Sequence, residues 1–242
     1  MKKKEVVEFY NDFKTSQQNT GINERLWFLY KRLQKLGLKS DSNVLELGCG
    51  IGAMTCLISK TVTKGTIESV DISTESIEFA RQHHHKSNIS HHAADVVEYK
   101  PKLSKINFIT LLDVIEHIPV ERHPELFKNI SSYINDETLL IINIPNPDYI
   151  EYDREHNPEV LQIIDQPVYH DVLYKTLTES GLDMYYFEKY SIWVKDEYIF
   201  YVIKKKQPFT EEKLAGSRSF TEKVKSKLLR TKLQKLYPYG RK

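Results

Sequence analysis

Three residues with the chemistry of a reaction centre fall within five positions, Asp113, Glu116 and His117, in the run Asp113-Val-Ile-Glu-His117. If the segment turns helically they can share one face, and two carboxylates with an imidazole suit a hard divalent cation with one borderline ligand. The same residues have a plainer use. Asp113 can cap a helix while His117 lines a pocket, where the ordinary pKa of an imidazole suits it to removing a proton near neutrality. A fourth candidate, His170, opens a later helix that continues Asp171-Val-Leu-Tyr174. A second group of residues lies earlier in the chain. The run Val44-Leu-Glu-Leu-Gly-Cys-Gly-Ile-Gly-Ala53 sets Glu46 inside an apolar strand, with Gly48, Gly50 and Gly52 around Cys49 where the strand passes into a helix. Glycine lets such a turn bend sharply and leaves no Cβ between the main chain and a ligand. The order E-x-G-x-G-x-G differs from the G-x-G-x-x-G of dinucleotide sites, and the acid inside the strand favours a cationic, adenosine-like ligand over a phosphate.

The elements that must position both groups are written in the periodicity of the chain. Residues 1–15 and 22–36 read as helices, the second carrying Leu26, Leu29, Tyr30, Leu33 and Leu36 at helical spacing. The strand around Glu46 leads into helix 51–62, the turn Lys64-Gly65, and strand 66–71, which ends in Asp71 followed by Ile72. An acid in that place can accept both hydroxyls of a ribose. A Ser73/Thr74 cap opens a helix over 75–86, a short third segment ends at Asp95 and Val96, and a strand over 106–112 delivers Leu112 and Asp113. A helix over 121–133 and β-rich runs over 138–144, 182–190 and 197–204 complete the set, the last two as an antiparallel hairpin. Strands alternating with helices over short links predict an α/β fold with a doubly wound, mostly parallel, seven-stranded Rossmann-like sheet.

At 242 residues and 40% apolar content, the chain can build one α/β domain with extensions. We read 1–40 as a helical cap, 41–206 as the catalytic domain and 207–242 as a basic tail. The sequence carries no secretory leader and no membrane-length apolar run, which predicts a cytoplasmic protein. Cys49 and Cys56 are too few and too local for a disulfide framework and read as small buried residues. His83, His84 and His85, with His91 and His92, read as cations near a helix C-terminus rather than as a metal site. The net charge of +2 hides an asymmetry: residues 213–242 hold ten Lys or Arg against one acid, a charge of +9, which leaves −7 on residues 1–212.

The pattern of Glu46 and its three glycines, followed by Asp71 and Asp95, resembles the class I S-adenosylmethionine-dependent methyltransferases. That resemblance implies that Glu46, Gly48, Cys49, Gly50 and Gly52 seat the methionine and ribose, Asp71 and Ile72 the ribose hydroxyls, and Asp95 and Val96 the adenine, with Leu112 beside them. The acid-x-x-Glu-His at Asp113–His117, together with Pro145-Asn-Pro-Asp-Tyr149 and the distant His170, resembles the metal-dependent small-RNA 3′-terminal 2′-O-methyltransferases, with Asp113 in place of their first Glu. Ubiquinone-pathway O-methyltransferases share a similar motif. The resemblance implies a magnesium or manganese ion held by Asp113, Glu116, His117 and His170, lowering the pKa of a hydroxyl and orienting its oxygen.

The substrate reading turns on charge. An RNA enzyme needs a basic groove with stacking aromatics, whereas the body is acidic and the segment between Tyr149 and Gln166 adds Glu151, Asp153, Glu155, Glu159 and Asp165. The wording around 145–167 is similar to methyltransferases of surface-polysaccharide pathways, which implies a sugar hydroxyl of a cell-surface glycan, of O-antigen or capsule type, or its precursor. RNA 3′-terminal ribose is the alternative. The tail, Phe220 to Gly240, resembles the basic ends of enzymes of lipid-linked glycan assembly and implies contact with an anionic membrane surface, with nucleic acid the lesser attraction.

Overall fold

A computed structural model describes residues 3–211 and 219–236. The chain separates into two compact units, Met1–Lys206 and Gln207–Lys242.

The first unit opens with two helices, α1 (Lys3–Thr20) and α2 (Glu24–Lys35), the second begun by Asn23, whose side chain accepts the Leu26 amide. β1 (Val44–Leu47), α3 (Ala53–Thr61), β2 (Ile67–Asp71), α4 (Thr74–His83) and β3 (Ile89–Ala93) form its first half. β4 (Phe108–Leu112), α5 (His123–Ser131) and β5 (Leu139–Pro145) follow, then α6 (Pro147–His156), α7 (His170–Glu179), β6 (Leu182–Tyr190) and β7 (Tyr198–Lys205). The seven strands lie in the order β3-β2-β1-β4-β5-β7-β6, all parallel except β7, which runs against both of its neighbours. This is the doubly wound sheet expected from the alternation of patterns, including the terminal hairpin.

Strand alternation divides the core between the two faces. Leu45, Leu47, Ile109 and Leu111 point with Ile142 and Tyr201 toward α5 and α7. Val44, Phe108, Ile141 and Phe200 point toward α2 and α3. One-residue shifts of register would exchange these faces, so the apolar alternation fixes the pairing. The order in which strands are added reverses between β1 and β4, which stay parallel, and ligands bind at the carboxyl ends of strands at such a switch point.

Two stretches differ from the sequence expectation. α6 occupies part of the acidic segment between Tyr149 and Gln166, for which no helix was expected; Asn146 caps it by accepting the Asp148 amide, and Pro147 fills its first turn. Beyond Leu112 the chain makes a single 3₁₀ turn, Ile115–His117, after Asp113 takes a left-handed conformation at φ 57°. The helix expected over 113–117 is thus replaced by a left-handed residue and one short turn, with Asp113 outside that turn. Among the described residues, no helix is long and apolar enough to cross a membrane.

The second unit contains α8 (Phe220–Leu236). Residues 212–218 and 237–242, including the Tyr-Pro-Tyr-Gly ending, lie outside the described residues.

Candidate active site

The switch point opens into a cavity of about 670 Å³, within the range of small-molecule sites. Its floor is the glycine turn. Gly48, Gly50 and Gly52 take φ of 80°, 51° and 85°, angles that side chains with a Cβ resist. The amides of Gly48 and Cys49 both donate to the Val70 carbonyl, at 2.8 and 3.0 Å, which knits the turn to β2. A Cβ on Gly48 would run into the Val114 side chain, and one on Gly50 would stand 2.6 Å from the Gln17 amide nitrogen. The backbone there is bare where a ligand approaches. Gly52 instead ends the turn as the N-cap of α3, outside the cavity lining.

Acids surround this floor. Glu46 is buried in β1 and accepts the Thr55 hydroxyl at 2.5 Å; burial pushes its carboxyl up from 4.5 to about 8. Asp71 closes β2 and accepts the Gly50 amide at 2.7 Å and the Ser73 amide at 2.8 Å. Burial raises its pKa, while those amides oppose the rise. Asp95 accepts the Val97 amide and pairs with Arg122 at 3.0 Å, and Val96, Ile72, Cys49 and Leu112 fill in apolar wall. Burial raises the Cys49 thiol pKa and keeps it protonated, an inert wall residue. The two arginines of the lining are each matched to a carboxylate, Arg122 to Asp95 and Arg25 to Asp113. Such a donor set fits a nucleoside carrying positive charge and disfavours a phosphate. The residues present thus fit S-adenosylmethionine, with Glu46 toward its cationic part and Asp71 able to take ribose hydroxyls.

On the other side of the cavity stand His117, Asp113 and residues from distant parts of the chain. His117 Nδ1 lies 2.6 Å from the Ile164 carbonyl and 3.2 Å from Asp165 Oδ1. Donation from Nδ1–H to that carbonyl leaves Nε2 as the nitrogen with a free lone pair. Tyr10 of α1 stands edge-on to the imidazole at 6.1 Å between ring centres. Asp113 accepts from the Asn143 side chain at 2.8 Å and pairs with Arg25 at 2.9 Å, while Arg25 also donates to the Tyr198 hydroxyl. Tyr190 in turn donates to Asn143 at 2.7 Å, so a chain of polar contacts runs beneath this half of the pocket.

The four residues proposed as metal ligands are not assembled. Both oxygens of Asp113 are engaged by Asn143 and Arg25. Glu116 is buried away from the cavity, 3.9 Å from His117 Nε2, and among the described residues its two oxygens have no hydrogen-bond partner. Burial, with Asp113 nearby, holds its carboxyl well above the usual range. His170 packs tilted against Phe187, at 4.5 Å, and stacks near Tyr201, at 6.0 Å, and it does not line the cavity. Among the described residues, no group of three His, Cys, Asp or Glu side chains is placed to hold a metal ion. The helical geometry assumed for 113–117 is the reason, since the left-handed Asp113 turns its carboxylate toward α2. In the histidine run, His83 and His85 meet the backbone carbonyls of Phe79 and Gln82, while His91, read with them as a helix-end cation, is buried against Ser69 and the His84 carbonyl, and burial lowers its pKa.

Sequence reasoning missed Tyr10, Gln17, Arg25, Arg122, Gln162 and Ile164, all on the cavity wall. One had a signal: Arg25 stands four residues before Leu29, on the apolar stripe of its own helix, where an unpaired charge is costly.

The sheet order, the glycine turn and the strand-end acids define a Rossmann-like class I methyltransferase. Residues 22–195 match the methyltransferase domain family, and the chain belongs to it. It is an S-adenosylmethionine-dependent methyltransferase. Its fold is similar to magnesium protoporphyrin IX methyltransferase from Synechocystis PCC 6803 with bound SAH, at a TM-score of 0.65 and 15% identity, covering 85% of this chain and 99% of that one. An S-adenosylmethionine-dependent methyltransferase from Clostridium acetobutylicum ATCC 824 aligns with a TM-score of 0.62 at 15% identity, over 82% and 99% of the two chains. The methyltransferase domain of a bacterial Hen1 protein, CtHen1-C, gives 0.60 at 18% identity, over 76% and 98%. No curated protein matches the sequence.

Proposed function

We propose that this enzyme methylates a sugar hydroxyl of a cell-surface glycan or its precursor, with His117 as the general base. The observation that carries the reading is the fixed imidazole: Nδ1 is anchored to the Ile164 carbonyl at 2.6 Å on the wall of the cofactor cavity. An alcohol is a weak nucleophile near neutrality, so a positioned base is the chemistry such an acceptor needs. Bound S-adenosylmethionine supplies an electrophilic methyl group on a sulfonium.

His117 Nε2 takes the hydroxyl proton as the acceptor oxygen bonds to the methyl carbon, and the electrons of the broken carbon–sulfur bond return to sulfur. Asp165 Oδ1, 3.2 Å from Nδ1, helps to hold the ring in this orientation. Asp113 and Arg25, paired with each other, form a polar stretch of the same wall. The acidic body, at −7 over residues 1–212, speaks for a neutral acceptor over a polyanion. The test is to supply methyl-labelled cofactor to glycan and RNA fractions and analyse the products by mass spectrometry. Label on a sugar hydroxyl of the glycan fraction is expected; label on RNA 3′ ends instead would overturn the reading.

A further inference from the structure

The second unit holds a surface that the catalytic reading leaves unused. α8 begins with a reciprocal cap: the Ser219 hydroxyl accepts the Glu222 amide at 3.2 Å, and Glu222 accepts the Ser219 amide at 2.9 Å. The helix start is therefore encoded locally, and it continues for 17 residues to Leu236, about 25 Å of helix. It buries none of its side chains. Phe220 is 81% exposed, Leu228 66% and Leu236 64%, with Val224, Leu229 and Leu233 also open. At about 100° per residue, these six apolar side chains spread over a broad band, and Lys223, Lys227 and Arg230 occupy the opposite face. Lys225, Lys232 and Lys235 stand within the band on long stems that can carry their charge outward. Between Phe220 and Leu236 six basic residues face one acid, Glu222.

We infer that α8 docks on an anionic lipid surface, lying in the plane of the headgroups. Water satisfies the lysines and leaves the six apolar side chains exposed. A nucleic acid would satisfy the same lysines and still leave that band wet. A second copy of the helix would cover the band while setting two strongly positive segments side by side. An anionic bilayer takes both at once, apolar side chains at the acyl boundary and ammonium groups among lipid phosphates and carboxylates. This docking is independent of which hydroxyl the enzyme methylates.

The test is sedimentation of the full chain with vesicles of phosphatidylcholine alone, or of phosphatidylcholine mixed with phosphatidylserine. Binding to the mixed vesicles alone is expected, weakening as salt is added. Replacing Lys223, Lys227 and Arg230 by Glu should abolish it, each basic residue contributing roughly fivefold to partition. Leu228→Ser with Leu229→Ser should weaken lipid binding by at least tenfold at unchanged charge. In both variants cofactor affinity should stay as in the parent, which shows that the enzyme is folded. The inference is overturned by equal binding to both vesicle types, by full lipid binding in the Leu variant, or by tighter binding to an RNA oligonucleotide than to mixed vesicles at equal salt.

Discussion

Replacing Glu46 by Gln removes a buried carboxyl while keeping its shape and its ability to accept the Thr55 hydroxyl. In the folded protein this group holds its proton to about pH 8, against 4.5 ordinarily, because it lies in the core of the sheet. Ionising it in place therefore costs about 5 kcal/mol. Between these pH values the native state keeps a proton that the unfolded chain releases, so stability falls as pH rises from about 4.5 and levels off above about 8. The glutamine variant lacks this loss. Asp71 titrates in both proteins, so most of its contribution cancels in the comparison.

Urea unfolding of ligand-free protein from pH 5 to 9 should show the variant gaining on the parent by several kcal/mol, up to about 5, across that window. Two curves that stay parallel would refute the claim that Glu46 is held neutral. A cationic ligand reverses the preference by stabilising the ionised form. The parent should therefore discriminate more strongly than the variant between S-adenosylmethionine and its uncharged-sulfur product.

Three further outcomes follow from the site. His117→Ala should lower turnover about 10²–10⁴-fold while calorimetry finds cofactor affinity nearly unchanged; undiminished turnover would remove His117 as the base. Asp71→Ala, which strips the Gly50 and Ser73 amides of their acceptor as well as the ribose of its own, should weaken cofactor binding roughly ten- to a hundredfold by calorimetry. Because Asp113 and His170 are committed to Arg25 and to an aromatic stack, turnover should survive exhaustive chelation, and its loss would restore a metal to the mechanism.

The cofactor half of the site was legible because its code is local. Three glycines in left-handed conformations, Glu46 inside β1 and Asp71 closing β2 declare themselves over a few residues, and strand periodicity orders the sheet around them. The acceptor half is built from long-range encounters that spacing does not reveal. Arg25 meets Asp113 across most of a hundred residues, and Ile164 and Asp165 reach His117 from the far side of α6. The metal expectation rested on a helical 113–117, whereas Asp113 is left-handed and its carboxylate meets Arg25 and Asn143. α6 starts at an Asn146-Pro147 cap that the sequence does spell, but it buries only Pro147, Ile150 and Asp153, too few to write an apolar stripe at helical spacing.

The segment shared with the family begins at residue 22, just after α1, yet the cavity does not stop there. Tyr10 and Gln17 of α1 stand on its wall, and Asn11 and Lys14 tie that helix to the start of α4 through Ser73 and Glu75. A chain lacking residues 1–21 would retain its sheet, its glycine turn and its strand-end acids while one side of the chamber stood open to water. Inactivity in such a fragment would report on enclosure rather than on folding. Selectivity engineered only within the shared segment would be working on three walls of a four-walled room.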